Sequence, residues 1–157
     1  MDEFKPLIAD DIISGQMGQI ILTINGDRRV AAEIKKITAD ISKTKASTKV
    51  LGRKTAVSKT TGAENKGSVA YFVVDSFWLN QAVNFVKTGK DVPMDILVTN
   101  KDSQNEDRTG SESVLLKGCD FNSWTVINVD VDSEFPERTS EFTFDDIDIL
   151  QSFNERK

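Results

Sequence analysis

Four groups of residues in this 157-residue chain have types and spacings that could do chemistry. Gly62-Ala63-Glu64-Asn65-Lys66-Gly67-Ser68 has the glycine spacing of a phosphate loop, whose backbone N–H groups cradle an anion. Ser68 stands where the phosphate-binding lysine should follow the second glycine, and no helical pattern comes after it. Asp102, Asn105 and Asp107 offer oxygens to a hard cation, but their spacing does not fit a calcium hand and reads as a solvated loop. Asp130 and Asp132 fall on one side of an alternating stretch, as a glycosidase pair would. The acidic row continues to Glu134 with no flanking subsite, so a wet acidic face explains it better. Cys119 is the single cysteine; it sits among apolar residues and reads as a small buried hydrophobe rather than a nucleophile. The chain has no histidine, which removes the commonest general base and the commonest metal ligand. The expectation is a non-enzyme with no catalytic residue, no metal and no cofactor.

The charged residues are more informative, because they are segregated. Lys43 to Gly67 carries seven bases (Lys43, Lys45, Lys49, Arg53, Lys54, Lys59, Lys66) and one acid, Glu64. Asp130 to Asp148 carries eight acids (Asp130, Asp132, Glu134, Glu137, Glu141, Asp145, Asp146, Asp148) and one base, Arg138. A basic loop on one copy can meet an acidic edge on the next, and such a head-to-tail contact builds rings or open filaments rather than closed pairs. Two independently solvated surfaces are the plainer alternative. The net charge of −5 and a pI near 4.8 argue against nucleic acid as the principal partner.

The length suits one domain over 1–157, and 38% hydrophobic residues suffice for a core. No stretch has the length of a transmembrane helix, and Met1 to Pro6 lacks the basic start and apolar core of a signal peptide, so a cytoplasmic origin is expected. Residues 1–17 read as an arm. Gln19 to Ile24 reads as a strand, followed by Asn25-Gly26, a type I′ hairpin signal. Arg28 to Lys45 reads as one long strand whose apolar parity flips at Lys35-Lys36, which predicts a bulge. Residues 46–67 hold few large apolar residues and read as a long functional loop. Val69 to Val74 reads as a buried strand. A helix follows, capped by Asp75 or Ser76 and ended by Gly89, with Trp78, Leu79, Ala82, Val83, Phe85 and Val86 as its apolar face. Strands are expected at Val92–Thr99, Val114–Phe121 and Trp124–Phe135, with a polar loop from Asn100 to Gly110. A last strand runs through Phe142, Phe144, Ile147 and Ile149, with a bulge near Asp145-Asp146. The total is about seven strands and one helix, a mainly β chain.

Three stretches, in order, resemble the tail tube proteins of contractile phage tails and phage-tail-like bacteriocins, of the XkdM-like family. They are Val50-Leu51-Gly52-Arg53-Lys54 running through Lys59-Thr60-Thr61-Gly62 to Gly67-Ser68-Val69-Ala70-Tyr71-Phe72; the helix ending Phe85-Val86-Lys87-Thr88-Gly89; and Val129-Asp130-Val131-Asp132-Ser133-Glu134 with Phe142-Thr143-Phe144-Asp145-Asp146. The resemblance implies a tail-tube-type β-sandwich or barrel with one flanking α-helix and a long extended loop. It implies hexameric rings stacked into a hollow tube. About 24 strands tilted near 40° would close a barrel roughly 45–50 Å across. Partners implied are further copies of the chain, a tail sheath protein and a baseplate hub or tube initiator, with DNA only as transient cargo and no stable membrane association. The finished particle, a virion or a bacteriocin, is the implied destination. Within that frame Lys49, Leu51, Gly52, Arg53, Lys54, Lys59, Thr60, Thr61 and Gly62 are candidates for contact between rings. Glu141, Asp145 and Asp146 are candidates for the acidic side, and Asn128, Asp130 and Asp132 for the lumen wall. A ring-forming secretion protein of the type VI kind, or a soluble β-rich binding module, are the alternatives.

Overall fold

The computed structural model describes residues 17–101, 110–132 and 134–153. The expected arm over 1–17 lies outside them up to residue 16, as does the Asn100–Gly110 loop from 102 to 109 with Asp102, Asn105 and Asp107. Eight strands and one helix are present among the described residues, and their contacts gather into two compact units.

The first unit is an antiparallel sheet in the order β2-β1-β5-β6-β8, formed by β1 (Met17–Ile24), β2 (Asp27–Val30), β5 (Met94–Lys101), the first part of β6 (Ser111–Trp124) and β8 (Asp146–Gln151). The β1–β2 turn is Asn25-Gly26, with φ of 51° and 86°, the doubly positive turn expected from the sequence. Leu22, Met94, Ile96, Leu116 and Cys119 form its core. Burial pushes the Cys119 thiol up to about 12, so the side chain is a hydrophobe in practice.

The second unit is also antiparallel, in the order β6-β7-β4-β3, from the end of β6, β7 (Glu137–Thr143), β4 (Val57–Phe72) and β3 (Ile34–Thr48), with helix α1 (Phe77–Thr88). Its core is aromatic. Tyr71 stacks on Trp78 at 4.7 Å, Trp78 meets Phe121 edge-on at 5.2 Å, and Phe121 meets Phe142 at 5.4 Å. Glu33 is buried where its carboxylate accepts the Trp78 indole N–H at 3.3 Å, which ties the helix to the start of β3. Asp75 caps the helix by accepting the Phe77 N–H at 3.0 Å, while Ser76 holds the N-cap position without a side-chain bond. Gly89, at φ 68°, ends it.

Several expectations needed correction. The Arg28–Lys45 strand is broken at Ala31–Glu33, because Ala31 and Glu33 turn inward and β3 joins the other unit. The bulge expected at Lys35-Lys36 is there, as a register shift between Ile34 and Lys36. Residues 46–67 are mostly ladder rather than loop. Trp124–Phe135 is not a strand: β6 absorbs Trp124, and the described part of 125–136 forms no ladder. The last strand is two, because the chain leaves β7 after Thr143 and re-pairs as β8 with β6. The apolar helix face is only half used: Trp78 and Ala82 are buried, whereas Val86 is 80% exposed.

Candidate assembly interface

The strands β3 and β4 pair from Ile34↔Tyr71 out to Thr48↔Val57. β7 covers β4 only from Lys66 to Phe72. Among the described residues the outer part of the hairpin is therefore a two-stranded ribbon with no third strand, and every residue from Ala39 to Ala56 is exposed. Polar contacts hold its register where apolar ones are missing. The Ser47 and Ser58 hydroxyls lie 3.0 Å apart, and Thr61 donates to the Thr44 carbonyl at 3.1 Å. Thr61 is the extra residue of a second bulge, since Thr44 faces Gly62 and Lys45 faces Thr60.

At the tip, the Arg53 N–H donates to the Val50 carbonyl at 3.2 Å, closing a turn over Leu51-Gly52. Gly52 has φ 86°, the value a type II turn needs at its third residue. Leu51 is 102% exposed. Lys49, Arg53 and Lys54 surround it, and Lys59, Thr60, Thr61 and Gly62 lie down the returning arm. The sequence-derived basic set thus converges on one projecting element. An isolated ribbon of this kind is marginal in water, and a fully exposed leucine at its end gains nothing in a monomer.

The acidic candidates are divided between the two units. Glu141 is exposed on β7, beside the root of the ribbon. Asp145 and Asp146 belong to the other unit. There the Asp145 N–H donates to the Lys117 carbonyl at 2.9 Å, and its carboxylate lies where a side chain on Gly118 (φ 65°) would be, 2.5 Å from the Cβ position. Lys117 pairs with Asp148, whose hydrogen bond holds the ammonium above its usual range. Asn128 donates to the Glu137 carbonyl, and Asp130 accepts the Asp132 N–H at 2.9 Å, a local turn. These three are exposed, next to exposed Ile127, Val129 and Val131.

The sequence reading missed a groove of about 350 Å³ at the ribbon root, lined by Thr38, Asp40, Ser68, Asn122, Glu141 and Phe142, with Lys66 and Gly67. Its residues come from four separate stretches, so only the strand register could have assembled it. Among the described residues, no group of three metal-ligating side chains occurs, and no helix is long and apolar enough to cross a membrane.

A family model described as phage tail tube protein matches residues 6–151. The XkdM protein of the phage-like element PBSX, from Bacillus subtilis strain 168, is 34% identical over 149 residues, which is 95% of this chain and 97% of that one. Among solved structures, the chain is similar to one from the tube-terminating cap of the anti-feeding prophage, with a TM-score of 0.65 at 15% identity over 96% of both chains. It is also similar to a chain of the PVC extracellular contractile injection system's sheath-tube complex in the extended state. There the TM-score is 0.61 at 12% identity, over 85% of this chain and 88% of that one.

Proposed function

We propose, from the premise that this chain belongs to the phage tail tube protein family, that it forms hexameric rings stacked head-to-tail into the hollow inner tube of a contractile tail or phage-tail-like bacteriocin. The chain is a structural tube subunit, not an enzyme. The observation that carries the stacking is the ribbon. It exposes Leu51 completely and gathers Lys49, Arg53 and Lys54 at a tip with no partner strand beside it among the described residues. The tip is the axial contact, with Leu51 as apolar anchor and the bases meeting carboxylates on the next ring. Single exposed ion pairs contribute about 0–1 kcal/mol, so repetition around a ring sets register and partner choice more than affinity.

The tube is driven through the target envelope when the sheath contracts. A sheath protein and a baseplate initiator are its other partners, supported by the similar chain that comes from a sheath-tube complex. Asn128, Asp130 and Asp132 form the lumen wall in this reading, where negative charge repels passing phosphate; their exposure supports it. The producing cell's cytoplasm is the assembly site and the tail particle the destination.

Negative-stain electron microscopy of the concentrated full-length chain tests this. Rings or tubes of uniform width are expected from the wild type. Leu51→Asp and Lys54→Glu are expected to keep the wild-type circular dichroism spectrum and melting curve and to give no tubes. Normal tubes from both variants would sink the ribbon's assignment.

A further inference from the structure

We infer that the groove at the root of the ribbon is the receptor for the ribbon tip of a second copy. Arg53 and Lys54 would enter between Asp40 and Glu141. This rests on the stacked-ring reading above and specifies the surface that the tip meets.

The groove is built from both sides of the root. Thr38 and Ser68, whose hydroxyls lie 3.0 Å apart, and Asp40 come from the β3–β4 pair; Asn122 comes from β6; Glu141 and Phe142 come from β7. The Phe142 ring packs against Gly67, where a Cβ would sit 2.6 Å from the Thr38 carbonyl oxygen; the missing side chain lets the ring seat fully buried beneath the groove. Among the described residues Asp40 and Glu141 make no ion pair, while the Lys66 ammonium is held by Glu64 at 3.2 Å. The groove therefore offers two uncommitted carboxylates with hydroxyl and amide acceptors beside them. That chemistry suits a guanidinium or an ammonium.

The tip supplies those groups. Arg53 and Lys54 are exposed and unpaired among the described residues, and the nearest acid along the chain is Glu64 on the returning arm. The same copy cannot fill its own groove. Asp40 to Thr48 spans eight residue steps of β3, about 27 Å at ordinary strand rise. The occupant is another copy, and since donor and receptor are different surfaces, each copy can give and receive at once.

The test is a charge swap in the full-length chain. The tip reversal (Arg53→Glu with Lys54→Glu) and the root reversal (Asp40→Lys with Glu141→Lys) are each expected to raise the concentration at which half the protein sediments by at least about tenfold. Circular dichroism checks that each remains folded. The chain carrying all four substitutions has an acidic tip and a basic groove. It is expected to assemble with itself again near the wild-type concentration, and to be excluded from wild-type tubes. A four-fold variant that fails to recover, or reversals that assemble normally while the wild type forms tubes, overturn the receptor assignment and leave the tube reading standing. A wild type that forms no assemblies under any of these conditions overturns the tube reading instead.

Discussion

The two halves of the β3–β4 hairpin use one ladder in opposite ways. In the inner half β4 is flanked by β3 and β7, Val69 and Tyr71 are buried, and the aromatic cluster closes over them. In the outer half, among the described residues, the same strands have only each other, and the side chains are mostly small, polar or basic and exposed, the apolar Ile41, Val50 and Leu51 included. The inner half is a protein core. The outer half is paired backbone with little burial to stabilise it, which leaves it free to serve the assembly proposed above. Stability and assembly should therefore separate cleanly along one hairpin.

The largest test of that separation is Trp78→Ala. It removes the ring that stacks on Tyr71, touches Phe121 and bonds Glu33, and should cost about 3–5 kcal/mol in denaturant unfolding. Loss of less than about 1 kcal/mol would mean that the aromatic cluster is not the core of its unit. Gly67→Ala comes next. The added methyl meets the Phe142 ring and the Thr38 carbonyl, so overpacking of about 1–3 kcal/mol is expected. The same exchange at Gly62, with open space around it, should be far milder. Leu51→Asp, only sixteen residues from Gly67 in sequence but at the ribbon's far end, should shift monomer stability by no more than about 0.5 kcal/mol. A large loss there would show that the tip is packed in the monomer and would erase the contrast.

The smallest perturbation is chemical. In Leu51→Cys, the new thiol should react with a maleimide at pH 8 at the rate of a free thiol. Cys119, with its thiol raised to about 12 by burial, should stay unlabelled until unfolding. The sign of the linkage follows. Cys119 binds its proton more tightly folded than unfolded, so its contribution is whole below about pH 9 and is lost as pH climbs toward 12. The Tyr71 phenol, also raised chiefly by burial, adds a loss in the same direction that begins as pH rises through 10. A melting temperature that rises between pH 9 and pH 11 would contradict both.

Local chemistry was legible wherever one residue decides the backbone. Asn25-Gly26 gave the hairpin, the parity flip at Lys35-Lys36 gave the bulge, and Asp75 and Gly89 gave the helix ends. Pairing was not legible. The alternation through Ile127, Val129 and Val131 marks side chains that share a face, but it does not say whether a neighbouring strand is present, and among the described residues none pairs there. Residues 46–67 failed in the opposite sense. They lack the apolar residues of a strand yet ladder well, because the two arms need only each other. The candidate site followed the same division. Its basic side lies on one stretch and could be read directly. The groove is assembled by register from β3, β4, β6 and β7, and Asp40 carried no mark of its own.

The ribbon also has a phase. Side chains alternate across it, so one residue more in each arm would turn every outward group to the opposite face, tip included. Two more in each arm would restore the faces and carry the tip about 7 Å further out. A single unmatched residue has to be absorbed locally, as Thr61 is in its bulge. The separation between tip and root is therefore adjustable in discrete steps and not continuously, and any spacing it sets between successive layers inherits the same coarse scale.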